Sequence, residues 1–216
     1  MIAFNPSQVD DELAAHIDAA RKALVQVRAG RHGTGSGTVV HGDGLIISNA
    51  HVVRRHAPRV VLHSGEELPA RLLAYNEQLD LAALSIDVSL LDGGQFVALP
   101  LADGRRLTAG SLVVALGHPW GVVGAATAGM VIGVGRPLEP LPYHGELIQV
   151  GLQLRPGHSG GPMLNAEGDL VGINTMIAGP HVGFAIPANT VRRFLKENLG
   201  TKRRRRVPRA PQRVPA

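Results

Sequence analysis

The sequence predicts an all-β barrel or sandwich laid out as two consecutive series of short strands, with a helix at each end. Three observations predict it. From about residue 23 the chain runs as short apolar segments broken by Gly, Asp, Asn and Pro, the spacing of many short strands. A stretch near 91–108, rich in Gly, Asp and Pro, divides these segments into two series. The flanking stretches 6–22 and 189–199 follow a helical period instead.

The elements follow in order. Over 6–22, Val9, Leu13, Ile17 and Leu24 sit near helical spacing, Ser7 can cap the N-terminus, and Asp10, Asp11 and Glu12 suit the first turn. The first strand series is ALVQV, SGTVV, GLIIS, RVVLHS, ELPARLLAY and LAALSI. The second is SLVVALG, GAATAGMVIGV, ELIQVGL, GPMLN, DLVGIN and VGFAI. A closing helix over 189–199 puts Val191, Phe194 and Leu195 on one face, with Gly200 beyond its end. The chain therefore divides into a helical segment 1–22, one two-lobed body 23–200 and a tail 201–216.

Composition narrows the class. The chain has 216 residues, 44% hydrophobic, enough to bury a sizeable core. Aromatics are only 3%, so Leu, Val, Ile and Ala must build that core. No cysteine is present, so stability rests on packing without disulfides. Residues 1–24 lack the basic start, apolar core and small-residue cleavage site of a secretory leader. No stretch approaches 18 uninterrupted apolar residues. These features lead to the expectation of an intracellular, cytoplasmic protein with no transmembrane segment. The tail carries seven of the 22 basic residues and none of the 17 acids. The other 200 residues are near neutral. With three prolines and no apolar period, the tail is expected to be disordered. It suits contact with a polyanion such as nucleic acid or anionic lipid, and equally a solvated tail.

The motifs carry the chemistry. In Pro156-Gly157-His158-Ser159-Gly160-Gly161-Pro162 a serine sits among three glycines. Such a turn can present a hydroxyl beside converging backbone N–H groups, a nucleophile and an oxyanion hole in one loop. Alone it is only a Gly/Ser-rich turn. Upstream, His51 closes the apolar run Ile46-Ile47-Ser48-Asn49-Ala50-His51-Val52-Val53, and Asp80 heads Asp80-Leu81-Ala82-Ala83-Leu84. A serine hydroxyl needs a base at neutral pH, and the base needs a carboxylate to fix its tautomer. Singly, His51 reads as a surface or core histidine and Asp80 as a turn residue. Together, in the order His, Asp, Ser, they read as a catalytic triad. No His-Glu-x-x-His and no Walker-type loop occurs, and the Gly33–Gly37 stretch lacks a following Lys-Ser/Thr. No metal or organic cofactor is implied.

These segments, with Gly33-Thr34-Gly35-Ser36-Gly37-Thr38-Val39-Val40, Gly168-Asp169-Leu170-Val171-Gly172-Ile173-Asn174-Thr175 and Val182-Gly183-Phe184-Ala185-Ile186-Pro187, resemble the trypsin-like serine proteases. Within them the likeness is to the HtrA/DegP group. It runs over roughly residues 23–199. The resemblance implies a two-barrel chymotrypsin-like fold, with His51 and Asp80 in the first barrel and Ser159 in the second. It implies a serine endopeptidase acting on unfolded or extended polypeptides. Ser159 would be the nucleophile, with the N–H groups of Gly157 and Ser159 as the oxyanion hole. Substrate would pair with Thr175, Met176 and Ile177, and Gln153 and Leu154 would wall the specificity pocket. No acid falls at the pocket base, so small aliphatic residues are expected there.

Two departures stand out. His158 replaces the asparagine usual before the nucleophile, and no PDZ domain is expected after the last protease motif. The resemblance also implies a homo-oligomer, a trimer in many relatives. Two competing readings are a latent, non-catalytic peptide-binding module and a nucleic-acid binder acting through the tail.

Overall fold

The computed structural model describes residues 6–30, 33–54, 58–91, 97–102, 107–136, 143–179 and 181–200. The basic tail therefore lies outside the described residues, as do the side chains of residues 6–10; α1 begins at Pro6, so Ser7 lies within the helix and not at its cap, and no acid falls in its first turn.

A first helix, α1, spans Pro6–Ala23 and runs directly into strand β1, Leu24–Ala29. The first series continues as β2 (Gly33–His41), β3 (Leu45–Ser48), the single helical turn α2 (Ala50–Val53), β4 (Pro58–Val61), β5 (Glu67–Pro69), β6 (Arg71–Asn76) and β7 (Leu81–Ser85). These strands form one seven-stranded sheet in the order β5-β4-β1-β2-β3-β7-β6. Its pairs are antiparallel throughout, with Val27 opposite Gly35 and Ile46 opposite Leu84. Alternate β-branched and leucine side chains point inward. Val25, Val27, Val39, Ile46, Val60 and Leu84 are all buried in one cluster. Each such side chain contributes about 1.5–3 kcal/mol on leaving water.

The second series comprises β8 (Leu112–Gly117), β9 (Ala125–Gly135), β10 (Leu147–Gly151), β11 (Pro162–Asn165), β12 (Leu170–Gly179) and β13 (Val182–Pro187), followed by helix α3 (Ala188–Leu199). It closes into a six-stranded barrel, β10-β13-β12-β11-β8-β9. Every strand pairs with two neighbours, but β12 beyond Ile173 has no β11 partner among the described residues and offers an edge on that side. Val113, Ala115, Val131, Val150, Met163 and Val171 fill it.

The molecule thus has the two-barrel, chymotrypsin-like fold that the resemblance implies, within the all-β class that the strand rhythm predicts, with terminal helices α1 and α3. Two apolar clusters fix the barrels to each other. Ile47, Leu81 and Ala83 of the first sheet join Leu170, Ile173 and Phe184 of the second barrel, with Val191 and Phe194 of α3 alongside. Ala20 of α1 and Leu24 of β1 pack on Val114, Leu116 and Leu164. The seam between barrels is therefore lined by buried apolar side chains, aliphatic and aromatic. There β2 accepts the loop that precedes β11, through Ser36 N donating to Ser159 O at 2.8 Å.

Candidate active site

His51 stands on α2, immediately after the buried strand β3. The buried Val52 and Val53 fix this turn to the first core, which leaves the His51 side chain facing out, 47% exposed. Asp80 sits at the start of β7 with φ +48°, a left-handed conformation that a short polar side chain tolerates better than most. That kink aims its carboxylate at His51. The His51 Nδ1 atom lies 2.9 Å from Asp80 Oδ2 and 3.0 Å from Oδ1, and the His51 backbone N–H donates to Oδ1 at 3.0 Å. Thr175 Oγ1, from β12 of the other barrel, donates to Asp80 Oδ2 at 2.6 Å. Asn49 secures the Asp80 main chain by donating to its carbonyl at 2.9 Å. A carboxylate in this position keeps the proton on Nδ1 and leaves Nε2 as the basic nitrogen.

Ser159 comes from the loop between β10 and β11. Its neighbours are held tightly. Gly160 N donates to Asn174 O, Gly161 N to His158 O and Asn174 N to Gly161 O, each at 2.9 Å. Asn174 Nδ2 donates to Leu116 O and Pro162 O. Gly160, at φ +86°, lies so close to β2 that a Cβ there would strike the Ser36 carbonyl. Gly157, at φ +107°, is pressed in the same way against the His118 carbonyl. The N–H groups of His158, Gly160 and Gly161 all have backbone acceptors. Those of Gly157 and Ser159 have none among the described residues, so both remain available to a ligand oxygen.

The structure brings His51 and Ser159 to one cleft between the barrels, with Asp80 behind His51 and outside the lining. The cleft holds about 300 Å³ and is also lined by Gly157, Leu154, Thr175, Met176 and Ile177. The Ser159 hydroxyl donates to Thr175 O at 2.9 Å, and no hydrogen bond to His51 forms in this structure. Such bonds tighten when substrate binds. Ile177 stands half exposed at the cleft mouth. Leu154 is buried and packs against Gly183, which closes the floor with an aliphatic surface. Gln153 is not part of the lining; its amide oxygen accepts from Arg155 on the exposed flank.

Sequence reasoning missed two contributors, Ser36 and His118, and a second role for Thr175. Thr175 binds the carboxylate as well as bordering the cleft. Ser36 and His118 form a buried contact with Gly157: Ser36 Oγ donates to Gly157 O at 2.7 Å. Nothing in the sequence links positions 82 and 121 residues apart. Burial pushes His118 down from 6.5 to about 4, helped by repulsion from His158 and His63. Burial also lowers His158. No group of three or more His, Cys, Asp or Glu able to hold a metal occurs among the described residues.

Comparison with known proteins agrees with this geometry. Residues 35–173 match the family described as trypsin-like peptidase domain. A "Probable periplasmic serine endoprotease DegP-like" of Rhizobium meliloti is 38% identical over 164 residues, 73% of this chain and 32% of the relative. "Serine protease HTRA4" of Homo sapiens is 36% identical over 199 residues, 86% of this chain and 41% of the relative. Among solved structures, "HtrA-type protease AlgW with decapeptide" superposes with a TM-score of 0.77 at 25% identity, covering 87% of this chain and 67% of that one. The serine endoprotease from Yersinia pestis gives 0.75 at 25% identity, covering 92% and 68%. The chain spans about a third to two fifths of the curated relatives' length. The expected cytoplasmic location is overturned: bacterial relatives are named periplasmic. That expectation rested on a leader not being seen in residues 1–24, and such an absence carries no location.

Proposed function

Because this chain belongs to the trypsin-like peptidase family, with HtrA and DegP proteases as its relatives, we propose that it is a serine endopeptidase working in a periplasmic or secreted setting. The observation that carries the proposal is that His51, held by Asp80, and Ser159 line one cleft together with Gly157, where the Gly157 and Ser159 N–H groups have no acceptor among the described residues. Ser159 Oγ turns from the Thr175 carbonyl to attack the scissile carbonyl carbon, and His51 Nε2 takes its proton. The carbonyl oxygen, now an anion, is held by the Gly157 and Ser159 N–H groups. His51 returns the proton to the leaving amine, and water repeats the sequence on the acyl-enzyme. The Asp80 carboxylate, bonded to His51 Nδ1, stabilises the imidazolium.

Substrate is an extended or unfolded polypeptide, laid as an added strand against Thr175, Met176 and Ile177. Leu154 below and Ile177 at the mouth leave an aliphatic recess with no carboxylate. Cleavage therefore follows small aliphatic residues. Mass spectrometry of digested casein tests this: Val or Ala should precede the cut bond, and Ile177→Gly should admit larger residues. A dominant Arg or Lys at that position would refute the assignment.

Residues 23–200 are the protease domain in this reading, preceded by the 1–22 segment. The basic residues 201–216 give weak, sequence-independent, salt-sensitive binding to polyanions. Truncation after Gly200 should abolish retention on heparin and leave peptide hydrolysis within about a factor of two, since the added charges are screened beyond about 10 Å. Retention by the truncated protein would move that site onto the body.

A further inference from the structure

We propose that Ser36 and His118 are positioning residues for the oxyanion site, holding Gly157 in the conformation that leaves its N–H free for the developing anion. This rests on the protease reading and deepens it. Three elements from both barrels meet here. Ser36 lies in β2 and is fully buried; His118 follows β8 and is 7% exposed; Gly157 belongs to the loop after β10. Ser36 Oγ donates to Gly157 O at 2.7 Å. A hydroxyl has one proton, so Ser36 accepts at its other contacts. These are the His118 backbone N–H at 3.1 Å and His118 Nδ1 at 3.0 Å. The neutral His118 tautomer is thereby assigned with its proton on Nδ1. The His118 N–H also reaches Gly157 O at 3.1 Å.

The consequence follows from geometry. With its carbonyl held by two donors and its Cα close to the His118 carbonyl, the Gly157–His158 peptide is fixed, and the Gly157 N–H, in the preceding peptide, can leave the cleft only by a turn about φ. A glycine at φ +107° has no side-chain barrier of its own to such a turn. The grip supplies what the residue lacks. Remove the Ser36 proton, and only the shared His118 N–H remains on Gly157 O. Remove the Nδ1 donor, and the Ser36 hydroxyl loses a contact that orients its proton toward Gly157 O. Ser36 O in turn accepts from Ser48 Oγ at 2.7 Å, so the serine is itself fixed from β3.

The test uses the full chain and its Ser36→Ala, His118→Leu and His118→Asn variants. Two quantities are measured: kcat and KM on an internally quenched peptide, and affinity for a peptide boronate. Boron bonds to Ser159 Oγ, whose proton passes to His51, and the resulting tetrahedral anion occupies the oxyanion site. Ser36→Ala and His118→Leu should each lose about 10–100-fold in kcat and in boronate affinity, less than the full loss of one donor. KM should stay within about twofold. His118→Asn should keep most of the activity, because its carboxamide N–H stands near the place of Nδ1–H. A rise in KM with kcat untouched would overturn the proposal. So would His118→Asn as defective as His118→Leu. If Ser36→Ala does not fold, the His118 pair decides alone. Ser159→Ala in the wild-type background is the control. If it leaves boronate affinity unchanged, the protease reading itself has failed, and that outcome is separate from the relay's.

Discussion

The two halves of the cleft are built by opposite strategies. The His51 corner is open: a single helical turn on the first sheet, with its histidine half exposed and its order taken from one charged acceptor. Asp80 there receives His51 N–H, His51 Nδ1–H and Thr175 O–H together. The Ser159 loop is closed: glycines wedged against β2, a buried Asn174 bridging two strands, and the Ser36–His118 contact behind it. A base must reach the substrate and take up charge, so it sits in water and is held electrostatically. An oxyanion hole must not relax as charge develops, so it is held by burial and many neutral hydrogen bonds. The difference teaches that the open half fails through loss of charge, and the closed half through loss of shape.

The largest effect should come from breaking the open half. His51→Ala is expected to lose about 10⁴–10⁶-fold in kcat on casein, because triad members act as one unit. Asp80→Asn should lose less, about 10⁴-fold, since the fold and the base remain while the tautomer is no longer fixed. Comparable rates for His51→Ala and wild type would remove the histidine from the mechanism.

A smaller effect separates the halves through Thr175, which serves both. Thr175→Val removes the 2.6 Å bond to Asp80 but keeps the main-chain carbonyl that receives Ser159. One hydrogen bond to a charged group is worth about 1.5–3 kcal/mol, so kcat should fall by roughly 10–100-fold with KM little changed. Thr175→Ser should recover most of it. Equal damage from Ser and Val would mean that the methyl, not the hydroxyl, matters.

The closed half should reveal itself in stability against pH. Folding lowers His118 from 6.5 to about 4. Below pH 6.5 the unfolded chain takes up a proton that the folded chain refuses. Stability from this group is therefore full above 6.5, falls as pH drops, and levels off below about 4. At about 1.4 kcal/mol per unit the loss reaches on the order of 3 kcal/mol. The groups facing it are His158, His63 and, beyond His158, Arg155; His158 is lowered too and adds with the same sign. Urea unfolding at pH 7, 5.5 and 4.5 should show the decline, and His118→Asn should flatten it. An unchanged slope in that variant would place the proton uptake elsewhere.

The same contrast explains what the sequence could reveal. The strand rhythm and the three short motifs point to the two barrels and to the acid, base and nucleophile, because each motif is local: a strand end, a strand start, a glycine turn. The Gly157 clamp is not local. Ser36 reads as one more residue in a Gly-rich turn and His118 as a surface loop histidine until β2, β8 and the Ser159 loop meet. Thr175 reads only as edge strand, since its hydroxyl finds Asp80 across the seam between barrels. Gln153 shows the reverse: the resemblance puts it with Leu154 at a pocket wall, but in the loop after β10 Gln153 is exposed and bonded to Arg155 while Leu154 is buried. The location was misjudged because the lack of a recognisable leader in residues 1–24 was taken as evidence of place, whereas the relatives' names point to the periplasm.

The most direct test of the central claim is covalent labelling. Wild-type protein and Ser159→Ala, both shown folded by circular dichroism, are exposed to a fluorophosphonate probe and assayed on casein. The account predicts that the wild type takes up one label per chain at Ser159 and cleaves casein, and that Ser159→Ala does neither. Labelling at a different serine, or casein cleavage by purified Ser159→Ala at near wild-type rate, would contradict it.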